Sequence, residues 1–394
     1  MRRSEVTGFE VLHADLGWRS VSFLKLTAGG MTGWAEFNEA FGAPGLGRVV
    51  ELLRPRVLGA DPMRVNAVVG ELTAYLAPAA SGMNRMAIGA VENALLDLKA
   101  RLLDVSVADL LGGAVRSRLP VYFSHCGSYR FGTTAELVGK APLRTWDDVV
   151  ALGTEVRDAG WRALKTNVLA LDDEEVRGRA FGWARSPGVG GSDWDDRMIE
   201  QTVRTVAALR EGAGDDVAIL VDVNFLLRTD GYRRLVDGLA GQRLGWLELD
   251  GVAPRALASL RDRAGFPVAS GESLFGMAEY RPYLEAEALD TAIVDVVWNG
   301  VGEATRIAAM ADAFGATVAP HNFYGPLATA MSAQFSAVVP NLARTEVDGD
   351  GVPWRDELLV EPLVVEDGFL DVPDGPGWGV EPDEDAIRRH PVAG

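Results

Sequence analysis

Five residues capable of chemistry stand at the ends of consecutive apolar runs. They are Asp222, Glu248, Glu272, Asp295 and His321. The intervals between them are 26, 24, 23 and 26 residues, and each is long enough for a strand, a helix and two connecting loops. In a (β/α)₈ barrel, catalytic groups lie at the C-terminal ends of successive strands. The spacing therefore predicts that these side chains converge at the mouth of such a barrel.

Three of the five are carboxylic acids on three consecutive predicted strands, which indicates a metal site. Asp222, Glu248 and Glu272 would repel one another strongly unless a cation lay between them. A ligand set made only of oxygen, without cysteine or histidine, favours Mg²⁺ over Zn²⁺. Each acid alone is explained as simply by a helix N-cap or a solvated loop charge. The three in register favour the metal.

His321 and Asp295 end neighbouring predicted strands, so we expect them to form a hydrogen-bonded pair. A carboxylate that orients an imidazole makes a general base near neutral pH, although a helix-capping histidine is the structural alternative. Lys165 ends the second predicted strand and either holds a substrate carboxylate or is an ordinary solvated lysine. His125 ends the first and also fits a packed polar core. A metal, a His–Asp pair and a lysine suit removal of a proton α to a carboxylate, because the metal stabilises the enediolate.

The elements that would position these residues follow from the periodicity. From Leu119 onward, strand-like and helix-like segments alternate, with eight strand candidates of which the last ends at Glu346. Such βα repetition predicts parallel strands. A doubly wound open sheet is the competing architecture, but polar groups at nearly every strand end favour a closed barrel. The interval between Lys165 and Asp222 is about 25 residues longer than one βα unit needs, and the surplus is residues 169–196. They form either a lid or specificity loop on the catalytic face, or a surface or oligomer-contact excursion.

The barrel is expected to occupy residues 118–350, between an N-terminal domain and a C-terminal segment. Alternation over residues 4–37 predicts antiparallel strands with a turn at the glycines 29 and 30. Three helical patterns follow, the third ending near Gly112 and Gly113, so residues 1–117 are predicted to form an α+β domain. Residues 351–394 are rich in Gly, Pro and Asp and are expected to pack back on that domain.

Composition narrows the range of partners. The net charge of −18 over 394 residues argues against nucleic acid or an anionic membrane as partner, and a solvated acidic surface is the simplest account of it. The single cysteine, Cys126, excludes an intrachain disulfide and is interpreted as a packing residue rather than a nucleophile. The N-terminus lacks an apolar signal region and no long uncharged apolar run exists. We therefore expect a cytoplasmic protein.

At these residues the sequence resembles the enolase superfamily, in its mandelate racemase-like branch, over nearly the whole chain. The matching segments are TGWAEF, AIGAVENALLDLKARLLDVSVADLLGG, DVN, WLE, SGE, VDVVWNGVGEATRIAAMADAFG, APHN and PDGPGWGVEPDED. The resemblance implies a modified (β/α)₈ TIM barrel with an α+β capping domain, one Mg²⁺ per subunit, a small carboxylate substrate and a homo-oligomer. It also implies that loops of the cap around Asp15–Arg19 and Phe41–Leu46 close over the substrate, and Arg19 is predicted to contact it.

Two departures from the family pattern shape the predicted reaction. The family often has Lys-x-Lys on the second barrel strand, whereas here LKTNV keeps Lys165 and places Asn167 at the second position. A racemase needs bases on both faces of the α-carbon, but a dehydratase works with one. His321 would abstract the α-proton and its imidazolium would protonate the departing β-hydroxyl on the same face, while Lys165 and Asn167 bind substrate oxygens. The resemblance thus favours an acid-sugar dehydratase.

The second departure replaces the usual Glu-x-Pro by Glu248-Leu249-Asp250. Asp250 is expected to contact substrate or to rival Glu248 as a ligand, and Asn224 and Glu346 are further predicted substrate contacts. A racemase, epimerase or cycloisomerase acting through the same enediolate is the enzymatic alternative. A non-catalytic carboxylate-binding protein on this scaffold is the alternative of a different class. The sequence does not specify the sugar acid.

Overall fold

The structure is a computed structural model that describes residues 4–40, 42–79, 81–172 and 191–392, without the side chains of 191–193. It begins with a three-stranded antiparallel sheet made of β1 (Gly8–Asp15), β2 (Ser20–Ala28) and β3 (Met31–Phe37). Gly29 and Gly30 form the turn between β2 and β3 with φ angles of 59° and 82°, a backbone region that favours glycine. The predicted hairpin is therefore present.

Helices cover one face of this sheet. They are α1 (Leu46–Val57), α2 (Val65–Tyr75), α3 (Met83–Leu103) and α4 (Val107–Leu110), with 3₁₀ turns at Pro62–Arg64 and Ala77–Ala79. The sequence predicted one helix running to Gly112 and Gly113, but the structure divides it. Asp104 ends α3 in the left-handed region, and Ser106 starts α4 with a reciprocal capping box to Asp109.

Eight parallel strands then close into a barrel. They are β4 (Arg118–Ser124), β5 (Ala163–Thr166), β6 (Ala218–Asp222), β7 (Leu244–Glu248), β8 (Val268–Ser270), β9 (Thr291–Asp295), β10 (Thr317–His321) and β11 (Thr345–Asp348). Neighbours pair in sequence order from β4 to β10, β11 returns to pair with β4, and Val318 bridges β10 to Leu342 just before β11. The open-sheet alternative is wrong. The last strand also runs two residues beyond Glu346, which brings Asp348 to the barrel mouth.

Helices alternate with the strands around the outside. They are α5 (Gly132–Leu137), α6 (Trp146–Asp158), α7 (Gly191–Ala213), α8 (Thr229–Gly238), α9 (Pro254–Arg263), α10 (Gly276–Glu285), α11 (Val296–Asn299), α12 (Val301–Ala313) and α13 (Pro326–Val338). None of the described helices is long and apolar enough to cross a membrane. Of the predicted excursion at 169–196, residues 173–190 lie outside the described residues, and its end forms the start of α7.

Side chains fill the inside of the barrel below its mouth. Seven strands contribute one buried residue each, namely Tyr122, Ala163, Leu220, Trp246, Ala269, Ile293 and Ala319. The rings of Tyr122 and Trp246 meet edge to face with centroids 5.4 Å apart, and small residues occupy most of the facing positions. This packed layer forms the floor on which the polar residues at the strand ends rest.

The C-terminal segment contacts both the barrel and the N-terminal sheet. Its strands β12 (Val365–Glu366) and β13 (Phe369–Asp371) extend the start of β4 in antiparallel fashion. Further on, the indole N–H of Trp378 donates to the carbonyl of Trp34 at 2.7 Å, and α14 (Glu384–Arg389) packs against β1. The boundaries at residues 117 and 350 stay a prediction.

Candidate active site

Three carboxylates lie together at the mouth of the barrel. Asp222 and Glu248 are the last residues of β6 and β7, and Glu272 follows β8 by two residues. All three are buried, and one carboxylate oxygen from each lies within 4.8 Å of the others. The register of β6 against β7 places Asp222 directly beside Glu248. The sequence interval between these acids is thus one βα unit, as predicted.

Burial and mutual repulsion make the ionised forms of the three carboxylates unfavourable unless a cation is bound between them. Burial raises the pKa of Glu248 to about 7, with Asp222 adding to the rise, and it raises the pKa of Glu272 well above its usual range. One oxygen of Glu248, Oε1, is buried without a hydrogen-bond partner among the residues that the structure describes. Buried, unsatisfied oxygens at this spacing are the ligands that a hard divalent cation takes. The residues present therefore fit Mg²⁺.

A histidine–aspartate pair borders the three carboxylates. The parallel register places His321 opposite Asp295, and His321 Nδ1 lies 2.7 Å from Asp295 Oδ2. The other aspartate oxygen, Oδ1, accepts the backbone N–H of Trp298 at 2.7 Å and so caps α11. His321 Nε2 lies 3.3 Å from Glu272 Oε2. Burial lowers the pKa of His321, but Glu272 and Asp295 outweigh it and raise that pKa to about 10.

Lys165, on β5, lies between the carboxylates of three strands. Its Nζ is 3.0 Å from Glu248 Oε2, 3.1 Å from Glu346 Oε1 and 4.0 Å from Asp222 Oδ2. Burial lowers the pKa of Lys165, but Glu248 and Glu346 raise it well above its usual range, so the side chain is an ammonium. Lys165 is buried within the site, so the alternative of an ordinary solvated lysine is wrong.

Asn167 and Asn224 lie beside the carboxylate of Asp222. Asn224 donates to Asp222 Oδ2 at 3.0 Å from its side chain and to Oδ1 at 2.7 Å from its backbone. Asn167 donates to Asn224 Oδ1 at 3.1 Å and accepts the hydroxyl of Ser128 at 2.8 Å. These contacts fix the position of Asp222. A contact of either amide with substrate stays a prediction.

Glu346 and Asp250 are anchored differently from the three clustered acids. Glu346 accepts the backbone N–H of Asn322 at 2.7 Å and the hydroxyl of Ser124. Burial raises its pKa, but Lys165 outweighs this and holds the value at about 2. Asp250 accepts the backbone N–H of Gly271 at 2.8 Å and does not belong to the group of three carboxylates that meet one another. This geometry favours Glu248 over Asp250 as a ligand.

Two family models match the chain. Residues 148–386 match the one described as enolase C-terminal domain-like, and residues 11–112 match the mandelate racemase/muconate lactonizing enzyme N-terminal domain. The chain belongs to the mandelate racemase branch of the enolase superfamily. The predicted fold class, a (β/α)₈ barrel with an N-terminal cap, is confirmed.

Relatives of this enolase-superfamily chain have different named reactions. It is 27% identical over 400 residues to D-xylonate dehydratase of Haloferax volcanii, covering 100% of this chain and 90% of the relative. It is 28% identical over 392 residues to D-gluconate dehydratase of Thermoproteus tenax, and the match covers 95% of this chain and 71% of the relative. A solved structure from Burkholderia xenovorans strain LB400 is 41% identical to this chain, with a TM-score of 0.93, and the match covers 98% of this chain and 96% of that one. That protein is provisionally named an L-alanine-DL-glutamate epimerase and was bound to magnesium and fumarate.

Arg19 joins the cap of this enolase-superfamily chain to its barrel. The guanidinium is buried, lies 2.5 Å from Asp348 with Nη2, and donates to the backbone carbonyls of Phe323 and Tyr324. The loop after β1 therefore lies beside the ends of the barrel strands, and its closure over a substrate stays a prediction. The described acceptors of Arg19 are protein atoms, and its contact with substrate stays a prediction.

Sequence reasoning missed two contributors to the site. The hydroxyl of Tyr324 donates to Asp295 Oδ2, the oxygen that also faces His321. Glu36, on β3 of the cap, accepts the backbone N–H groups of Gly325 at 2.5 Å and Ala328 at 3.0 Å, which holds the loop after His321. The motif APHNFYG places an aromatic hydroxyl three residues after the histidine, but only the folded loop shows which carboxylate it meets.

Proposed function

We propose that this chain is a Mg²⁺-dependent acid-sugar dehydratase. It would remove the proton α to a carboxylate and eliminate the β-hydroxyl as water, giving a 2-keto-3-deoxy acid. The observation that carries the proposal is the juxtaposition of a His–Asp pair with three buried carboxylates, with His321 Nε2 only 3.3 Å from Glu272. The dehydratases among the relatives support the substrate class.

His321 is the base in this proposal. Asp295 fixes the imidazole through Nδ1, so Nε2 faces the mouth, where it takes the α-proton, and the carboxylate stabilises the imidazolium that results. Asp222, Glu248 and Glu272 would hold Mg²⁺, which when bound supplies positive charge for the enediolate. Glu272 also contributes to the high pKa of His321, so neutralising that carboxylate lowers this pKa towards neutral, as a base requires.

Lys165 is the electrophilic partner rather than a second base. Its ammonium is held between Glu248 and Glu346 and would attract the negative charge that develops on the substrate carboxylate. The remaining polar side chains at the mouth are proposed to bind the hydroxyl and carboxylate oxygens of the sugar acid. They are Asn167, Asn224, Asp250, Glu346 and Arg19.

An epimerase is the second candidate, because the Burkholderia xenovorans structure at 41% identity carries that provisional name. Epimerisation at one carbon needs a base on each face of it. Asn167 has no basic atom, and Lys165 is held as an ammonium by neighbouring carboxylates. At the end of β5, where the family often carries a second lysine base, neither residue can act as one, which favours elimination over epimerisation.

The test is a screen of aldonates and aldarates, including D-xylonate, D-gluconate and D-galactonate, with Mg²⁺. We expect a 2-keto acid from at least one of them, and a loss of roughly 1,000-fold or more in kcat for His321→Asn. His13→Asn, which changes an exposed histidine on β1, is the matched control and should keep full activity. If no sugar acid gives a keto acid while another carboxylate exchanges its α-proton in D₂O, the dehydratase proposal is wrong and the epimerase gains support.

A further inference from the structure

A second histidine–carboxylate pair lies at the mouth of the barrel. His125 directly follows β4, and its Nδ1 is 2.8 Å from Oδ1 of Asp348, the last residue of β11. The strands β4 and β11 are neighbours, and their register pairs Asp348 with Ser124. The arrangement repeats that of His321 and Asp295, in which the carboxylate and the imidazole also come from the ends of neighbouring strands.

The carboxylate of this pair is held firmly in its ionised form. Asp348 Oδ2 lies 2.5 Å from Arg19 Nη2 and accepts the hydroxyl of Tyr129 at 3.3 Å. Although burial raises the pKa of Asp348, Arg19 and His125 hold it well below its usual range. A fixed carboxylate at Nδ1 holds the imidazole in one orientation and directs its Nε2 atom away from that carboxylate.

His125 belongs to the same polar mouth as His321. Both imidazoles contact the ring of Phe323, with centroid distances of 6.1 Å for His125 and 5.1 Å for His321. Ser124 Oγ lies 3.2 Å from His125 Nδ1 and donates to Glu346, which in turn pairs with Lys165. The pair therefore adjoins the residues proposed to meet the substrate.

The backbone of His125 is also unusual. Its φ angle is 51°, in a region that residues with a Cβ rarely adopt. Strained residues persist where the surrounding structure fixes them, and they cluster at active sites. The His125 ring stacks on Tyr129 at 5.0 Å and 19°, so both the backbone and the ring are held in place.

We propose that His125 is a further catalytic residue, the general acid that protonates the departing β-hydroxyl. The inference rests on the proposed dehydratase function and deepens it. His321 takes the proton from C2, the C3–O bond breaks as that oxygen takes the proton of the His125 imidazolium, and water leaves. The enol that remains gains a proton at C3 from His321 and loses its O–H proton, which restores His125. The product is the 2-keto-3-deoxy acid, and no co-reactant is needed.

With His321 and His125 on different strands, removal of the α-proton and protonation of the leaving hydroxyl would be carried out by different residues. With His321 alone, the leaving oxygen must lie on the same face of the substrate as the α-proton. Asp348 contacts His125 directly, Tyr129 stacks on its ring, and Glu346 and Asp222 interact with it electrostatically.

The experiment compares two leaving groups in His125→Asn. The probes are the aldonate that the wild-type enzyme converts and its 3-deoxy-3-fluoro analogue, whose fluoride departs without needing a proton. We expect kcat for water elimination to fall by roughly 100-fold or more, the usual contribution of a general acid. Fluoride elimination should fall by less than about tenfold, because proton abstraction by His321 remains. His321→Asn should lose both reactions.

Three outcomes would overturn the inference. Equal losses on the two probes would show that His125 only supports the fold, and a melting curve of each variant would reveal that. Wild-type rates on both probes would show that His125 transfers no proton, while the dehydratase function would stand. If the wild-type enzyme converts no sugar acid at all, the proposed function fails and takes this inference with it. His13→Asn again serves as the control that should match wild type on both probes.

Discussion

Individual side chains at the mouth are positioned by saturated hydrogen bonding. Both oxygens of Asp295 are used, one by the N–H of Trp298 and the other by His321 and the hydroxyl of Tyr324. A carboxylate with every acceptor engaged cannot rotate freely, so the imidazole that depends on it keeps a single orientation. The same logic holds for Asp348, which is shared by His125, Arg19 and Tyr129.

Replacing Tyr324 by Phe tests this positioning. The ring would still pack in the same place, but Asp295 Oδ2 would lose one donor and gain freedom to turn away from His321. We expect kcat to fall by roughly tenfold with KM nearly unchanged, since substrate contacts are not altered. Steady-state kinetics on the converted sugar acid measure both values. A change in KM alone would assign Tyr324 to substrate binding instead.

Sequence periodicity located the strand-end residues but not the contacts between loops. Asp222, Glu248, Glu272, Asp295 and His321 follow apolar runs at one-unit intervals, and the structure brings all five together. Their roles stay proposals. The pairing of Arg19 with Asp348 could not be predicted, because it joins residues from opposite ends of the chain that meet only after the cap docks on the barrel.

For the secondary-structure elements too, local patterns could be predicted from the sequence, whereas features that depend on single residues or distant partners could not. The number of barrel strands follows from alternation of patterns, whereas the break between α3 and α4 depends on one residue, Asp104, adopting a left-handed conformation. The extension of β11 beyond Glu346 depends on its pairing with β4, a strand more than 200 residues earlier in the chain. Such non-local pairing leaves no local signal in the sequence.

Helix α3 carries a buried acid whose protonation should couple pH to stability. Glu92 lies against Gly300 and Gly302 at the start of α12, and its Oε2 has no hydrogen-bond partner among the described residues. Burial raises its pKa from 4.5 to about 7. A raised folded-state pKa means that the contribution to stability is complete below pH 4.5 and is lost as pH rises through about 7.

Glu92→Gln should remove this pH dependence. The amide keeps the shape of the acid but cannot ionise, so the variant should gain stability relative to wild type as pH rises from 4.5 to 8. The gain is on the order of 3 kcal/mol at most, given a shift of this size. Urea melts of both proteins at pH 4.5, 6 and 8 measure it. Parallel curves for the two proteins would show that Glu92 keeps its ordinary ionisation.

For the whole protein, we propose that the three clustered carboxylates reduce stability and that a bound cation relieves this cost. We expect the Tm to rise with Mg²⁺ concentration, because an ion that binds only the folded chain stabilises it by about 2.7 kcal/mol at 100 times its Kd. Adding a chelator should reverse the rise. Thermal unfolding monitored by circular dichroism measures this in wild-type protein.

The double variant Asp222→Asn plus Glu272→Gln is the matched comparison for Mg²⁺. It removes two negative charges from the cluster, so its Tm without Mg²⁺ should exceed that of wild type. Its Tm should then stay constant as Mg²⁺ is added. An equal rise with Mg²⁺ in both proteins would place the binding ion elsewhere and contradict the metal assignment.

Hydrogen bonds of Asp15 connect the loop that carries Arg19 to the C-terminal segment. The N–H of Asp15 donates to the carbonyl of His390 at 2.8 Å, and its carbonyl accepts the indole N–H of Trp354 at 2.9 Å. Both partners are translated long after β1, because a ribosome makes the N-terminal part first. The loop that carries Arg19 therefore lacks its supports while the barrel is being made. We expect a nascent chain to lack the proposed activity until the segment that carries Trp354 and His390 has been made.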